Sequence, residues 1–184
     1  MSTLAFMDDC EDLYNEALFA DMKIRIHYQG KVKEIYAHRA FLYKLSGMFR
    51  KWSIAPSKDP HENVFEIKNH SLSIVEKCIR YFYTDRYPPA LPTDTNGNKL
   101  ITHILISLWA QEYKVPRLQK ASAKVYRKDL SACSLSEIQK FATTYRTLYE
   151  KNVDINSPIG RVITETLLRG KESFSPAPSQ CVMS

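Results

Sequence analysis

From Met22 to Tyr28 apolar and polar positions alternate strictly, with Ile24, Ile26 and Tyr28 on one face and Lys23, Arg25 and His27 on the other. A period of two belongs to a half-buried strand. Gln29-Gly30 can reverse the chain into a second strand over Lys31 to Tyr36, which predicts a hairpin. Burying Ile24, Ile26 and Ile35 contributes roughly 1.5–3 kcal/mol each, more than an exposed ion pair on the outer face adds. Before the hairpin, Leu13, Tyr14, Ala17 and Leu18 predict a short amphipathic helix between Asp8 and Phe19. Its acidic residues lie toward the N-terminal end, where the helix dipole favours them.

Beyond the hairpin the period becomes helical. Phe41, Leu42, Leu45 and Phe49 recur at that spacing, with Gly47 a weak point separating two short helices. Residues 53–60, containing Pro56 and Pro60, read as a loop, and Val64 to Ile67 as a short strand. Leu72, Val75, Cys78, Ile79 and Phe82 mark a helix that ends near Tyr83-Thr84 and is capped by Asn69 or Ser71. The stretch from Pro88 to Asn98, with three prolines and Asn96-Gly97-Asn98, reads as an exposed loop. Leu100, Ile104, Leu105, Leu108 and Trp109 form the most apolar helix, and Pro116 opens the next. There Leu118, Ala121 and Val125 share one face, and Arg117, Lys120, Lys124 and Arg127 another. Residues 135–150 and 158–169 read as two further helices, the second with Pro158 near its first turn and Gly170 after its last. Residues 173–184 read as a disordered tail.

The 184 residues, 44% of them apolar, suffice for one domain of ordinary size with an appendage. No run predicts a membrane span, since Thr102, His103 and Ser107 interrupt Ile101 to Trp109. Met1 to Met7 carries no basic stretch ahead of an apolar one, so no secretory signal is expected and the expected setting is intracellular, cytoplasmic or nuclear. Cys10, Cys78, Cys133 and Cys181 are too scattered for a Cys-x-x-Cys half-site or a disulfide framework. A net charge of +6 permits acidic partners without specifying one. Its distribution is uneven: Asp8 to Glu16 is acidic, whereas Lys114 to Lys128 is a basic run free of acids, so the two segments can attract each other.

Candidate chemistry changes this picture little. A general base needs a nucleophile or substrate pocket within reach, and His38 sits among Ala37, Arg39, Ala40 and Phe41, so it is read as a buried, hydrogen-bonded histidine. His27, His61, His70 and His103 have neither zinc-finger nor His-x-x-x-His spacing. Cys78 lies mid-helix in apolar company, where a thiol is inert. The chain is therefore read as non-enzymatic, with no catalytic, cofactor-binding or metal residues. The stripe of Arg117, Lys120, Lys124 and Arg127 is read first as a solvated face, then as a surface for an acidic partner, and last as a nucleic-acid contact, for which only Tyr126 offers a nearby aromatic. Phe49, Trp52 and Tyr43 either fill the core or anchor an interface. Phe49 is read as core and Trp52, beside Lys51, as the better exposed anchor.

Several segments together resemble the BTB/POZ domain family. Ala20-Asp21 stands where that family places Ser-Asp before its first strand, and Ala37-His38-Arg39 with Leu42, Ser46 and Phe49 matches its Ala-His-Arg, Leu, Ser, Phe pattern. Tyr83-Thr84-Asp85-Arg86-Tyr87 is similar to its Tyr-Thr-Gly-x-Tyr ending, and Trp109 to Leu118 to its Leu-Ala-Asp-Lys-Tyr-x-Val-x-x-Leu segment. The later spacing is that of short, single-domain members common in fungi. Three features depart from the pattern: Asp85 replaces Gly, the loop from Pro88 is long, and no hydrophobic-x-Glu element of cullin-binding members follows Phe49.

The resemblance implies an α+β fold, a small β-sheet flanked by a cluster of α-helices, with extra C-terminal helices. The implied division is an acidic helical segment over 1–17, the BTB/POZ domain over 18–130, a helical extension over 131–170 and a tail over 171–184. It also implies protein partners, foremost a second copy in a homodimer. The alternatives are a substrate adaptor on a cullin scaffold of a ubiquitin ligase and a basic regulator associated with nucleic acid. The implied interaction residues are Asp21, His38, Arg39, Ser46, Phe49 and Trp52. Asp21 and Arg39 look like the charged pair that lines the groove of dimeric members; a structural pair holding the hairpin to the next helix is the other reading.

Overall fold

The computed structural model describes residues 8–54, 63–88, 96–134 and 154–172. The alternating segment forms β1 (Met22–Tyr28), paired antiparallel with β2 (Lys31–Ala37) so that Ile24 faces Ile35 and Arg25 faces Glu34. Gln29 and Gly30 turn the chain with φ of 50° and 75°, the two left-handed conformations whose twist matches a two-residue hairpin. β3 (Val64–Lys68) joins the other edge of β1 in parallel, giving the order β2-β1-β3. Ile24, Ile26, Ile35 and Ile67 are buried beneath the sheet. On its outer face Arg25 lies 2.8 Å from Glu34 and 3.6 Å from Glu66, each directly across from it in the register.

Helices cover the inner face. α1 (Arg39–Leu45) and α2 (Gly47–Ile54) are separated at Ser46, and α3 (Leu72–Thr84) is capped by Ser71, whose hydroxyl accepts the Ile74 N–H. Asp85 closes α3 in the left-handed region at φ 48°, a conformation that Asp adopts more readily than most residues. α4 (Asn96–Glu112) and α5 (Pro116–Ser131) pack antiparallel across a short turn, and α6 (Pro158–Glu172) lies against them. The buried side chains form two clusters. One gathers the sheet, α1 to α3 and the C-terminal half of α4 around Phe49, Phe82 and Trp109. The other joins Leu100 and Ile104 of α4, Tyr126 and Leu130 of α5, and Ile159 and Ile163 of α6. Gly160 is needed there, because a Cβ would run into the Asp154 carbonyl.

Several expectations are corrected. Between Asp8 and Phe19 only a 3₁₀ helix, Asp8–Leu13, forms. Leu13 and Tyr14 find the core, but Leu18 and Phe19 face solvent, so a second turn has nothing to bury. That acidic segment meets α3, with Glu11 3.6 Å from Arg80, and among the described residues it makes no ion pair with the basic run of α5. Asn96 to Asn98 opens α4 instead of ending a loop; first-turn N–H groups lack helical partners anyway, so Asn and Gly are tolerated there. α6 runs through Gly170. The buried face of α5 is Leu118, Ser122, Ala123, Tyr126 and Leu130, with Ala121 and Val125 only half-buried, because contact with both α4 and α6 widens and turns that face. The predicted helix over 135–150 and the tail over 173–184 lie outside the described residues.

Candidate functional site

Asp21, His38 and Arg39 meet where β1 begins, β2 ends and α1 starts. Asp21 does not bond the Arg39 guanidinium: its carboxylate accepts the Arg39 main-chain N–H at 2.8 Å. It thus satisfies a first-turn donor of α1 and places a negative charge at the helix N-terminus. The Arg39 guanidinium donates to Asn63 Oδ1 at 2.5 Å and lies 4.8 Å over the Trp52 ring. Trp52 is half-buried rather than exposed, edge-on to Phe65 at 5.3 Å between ring centres. A cation above and an aromatic edge beside it leave little of the indole for a partner.

His38 is 6% exposed. Its main-chain N–H donates to the Tyr83 hydroxyl at 3.0 Å, its Nδ1 lies 3.1 Å from the same hydroxyl, and its Nε2 lies 2.9 Å from the Leu18 carbonyl. A carbonyl only accepts, so Nε2 carries the proton and Nδ1 accepts from Tyr83. Burial pushes the Tyr83 hydroxyl up to about 12 against the opposing bond from the His38 main chain. These contacts fix Leu18 from inside while leaving the side chains outside: Leu18 is 58% and Phe19 80% exposed, and Phe19 has φ 58°. A bulky residue in the left-handed region is strained. Val32 and Tyr36 of the edge strand β2 are exposed as well, and the Tyr36 N–H bonds Asn15 Oδ1 in the turn before Leu18.

Ser46 and Phe49 lie at the far end of α1, fully buried. Ser46 Oγ donates to the Tyr113 carbonyl at 2.5 Å and accepts the Met48 and Phe49 N–H groups at 3.2 Å each, so it caps α2 and locks it to the end of α4. Phe49 packs among Phe65, Phe82 and Tyr113. The basic stripe is divided: Arg117 is 3.6 Å from Asp85 and Arg127 3.0 Å from Glu165, while Lys120 and Lys124 make no ion pair among the described residues. Tyr126 is buried and offers no face for stacking.

One constellation was not foreseen. His103, 2% exposed, has Nδ1 2.7 Å from the Tyr87 hydroxyl and Nε2 3.0 Å from Asp129 Oδ2. It ties the segment after α3 to α4 and α5. Burial, foremost, pushes the Tyr87 hydroxyl well up, so it holds its proton at neutral pH. The available signal was a histidine set among the apolar residues of α4. Cys78 is fully buried and its thiol is pushed well up by that burial. Among the described residues no group of three or more His, Cys, Asp or Glu is placed to hold a metal ion, and no helix is long and apolar enough to cross a membrane.

No curated protein matches the chain. Among solved structures, the BTB (Tramtrack and Bric a brac) domain of human gigaxonin aligns at a TM-score of 0.50 and 13% identity, over 66% of this chain and 88% of that one; this likeness concerns the fold. The family model for the BTB/POZ domain matches residues 10–130, from the 3₁₀ helix to the end of α5. That span, together with the mixed sheet under its helical cover, makes this chain a member of the BTB/POZ domain family, whose domains are protein–protein interaction modules.

Proposed function

We propose that the chain is a non-catalytic module that self-associates through its N-terminal segment and hairpin and docks a second protein on its helical side. The observation that carries the first half is the outward pair Leu18-Phe19. Its carbonyl is held by a buried histidine, its backbone is strained at Phe19, and its side chains stand in water. Strain of this kind persists where the surroundings over-determine it and clusters at sites of function, and apolar side chains held in water favour burial against a partner. A second copy is the occupant we assign, since BTB domains often dimerise. In this reading 18–130 is the interaction domain, 131–170 extends its helical face, and the setting is intracellular.

Among the other readings, the cullin-adaptor role draws support from α6, which extends the helical face, but not from the segment after Phe49. A nucleic-acid role has less in its favour, with two of the four stripe residues paired and Tyr126 buried. Light scattering of the purified chain tests self-association: a mass near twice 21.3 kDa supports it, and a mass of 21.3 kDa counts against it.

A further inference from the structure

A cleft of about 320 Å³ opens between the end of α1, the start of α2 and the turn joining α4 to α5. Lys44, Arg50, Lys114 and Arg117 border it, with Leu45 and Pro116 as its apolar part. Gly47 brings the walls together: a Cβ there would lie 3.0 Å from the Lys114 Cβ, and the Gly47 N–H bonds the Lys114 carbonyl at 3.0 Å. Lys114 itself is held in the left-handed region at φ 55°. The Arg50 guanidinium is braced by the Tyr43 and Lys44 carbonyls at 3.4 Å each and lies 5.2 Å over the Tyr43 ring. The Arg50 guanidinium and the Lys114 backbone are therefore positioned by the fold.

Helix dipoles explain only half of them. Lys44 in the last turn of α1 and Lys114 just beyond α4 sit at C-termini, where cations are favoured. Arg50 follows the first turn of α2 and Arg117 lies in the first turn of α5, where cations are disfavoured, and neither first turn contains an acid. Against the four stands the carboxylate of Asp85, 3.6 Å from Arg117 alone. Lys44 and Lys114 make no ion pair among the described residues.

We infer that this cleft seats a phosphorylated serine or threonine side chain of a partner protein. A phosphoryl group brings close to two negative charges and three acceptor oxygens, matching several cations around one cleft where a single carboxylate would leave most of them unmatched. Leu45 and Pro116 give the carbon stem of the residue an apolar seat. The inference rests on the docking half of the proposed function and is independent of self-association.

The test is fluorescence anisotropy of the full chain with a short labelled alanine-glycine peptide carrying one phosphoserine, at fixed ionic strength. The unphosphorylated peptide and vesicles containing phosphatidylserine are run beside it. Lys44→Gln with Lys114→Gln should weaken phosphopeptide binding roughly tenfold, while Lys120→Gln with Lys124→Gln, which removes the same charge elsewhere, should change it less than about twofold. Equal weakening by both pairs, equal binding of the unphosphorylated peptide, or binding to vesicles alone would overturn the inference. All four lysines are exposed, so each variant should unfold at the wild-type temperature. The scattering mass of the wild type separates the two claims: a wild-type dimer that ignores the phosphopeptide removes this inference alone.

Discussion

His38 illustrates how a histidine in an interaction domain can be structural at its ring and functional through its neighbour. With the Nε2 proton on the Leu18 carbonyl and Nδ1 on Tyr83, no free nitrogen remains for proton transfer. His38→Ala leaves the Leu18 carbonyl and Tyr83 hydroxyl without this partner and should cost about 2–4 kcal/mol in urea unfolding. A loss under about 0.5 kcal/mol would show that water replaces the ring without penalty. Tyr83 carries a pH dependence with it. Its hydroxyl is raised from 10.0 to about 12, as is that of Tyr14, in both cases mainly by burial. The folded state therefore holds these protons more tightly than the unfolded chain. Their contribution is whole below pH 10 and is lost as pH rises from about 10 to 12. The urea midpoint should fall across that window in step with tyrosinate absorbance; a midpoint that stays level to pH 12 contradicts this.

Among the elements, the hairpin is where local chemistry and tertiary packing agree most closely. Gly30 sits at φ 75° with no atom within 4 Å of a Cβ built on it, so Gly30→Ala probes backbone conformation alone and should cost about 1–2 kcal/mol. A neutral result would mean that the turn changes type at no cost. The hairpin, the break near Gly47, the helix begun by Pro116 and the family itself were legible in the sequence, because each is written in a period or a turn signal of a few residues. The first helix was not: the spacing of Leu13, Tyr14, Ala17 and Leu18 is helical, but whether the second pair has something to pack against depends on the whole fold. The face of α5 was misjudged for the same reason, since α6 returns from far along the chain to bury Ala123, Tyr126 and Leu130. Asp21 and Arg39 were recognised as neighbours, yet that the carboxylate takes the main-chain N–H while the guanidinium turns to Asn63 and Trp52 depends on β3 and α2. The His103 relay and the basic cleft likewise join residues 16 to 70 or more positions apart and have no local signature.

Taken whole, the molecule separates its tasks. The sheet and the aromatic cluster around Phe49 and Trp109 supply stability, and Ser46 locks α2 against the end of α4. What the fold leaves in water is uneven: an apolar pair and an edge strand at one side, a cation-lined cleft between α1, α2 and the α4–α5 turn. An apolar pair held out in water, with Phe19 in the left-handed region, is placed for contact with a partner. The claim that Leu18 and Phe19 mediate self-association is tested most directly by light scattering of the wild type beside Phe19→Asp. Phe19 touches no core cluster, so its substitution should leave the unfolding temperature within a few degrees. The account predicts a mass near twice 21.3 kDa for the wild type and 21.3 kDa for the variant. A monomeric wild type, or a variant that stays dimeric, would contradict it.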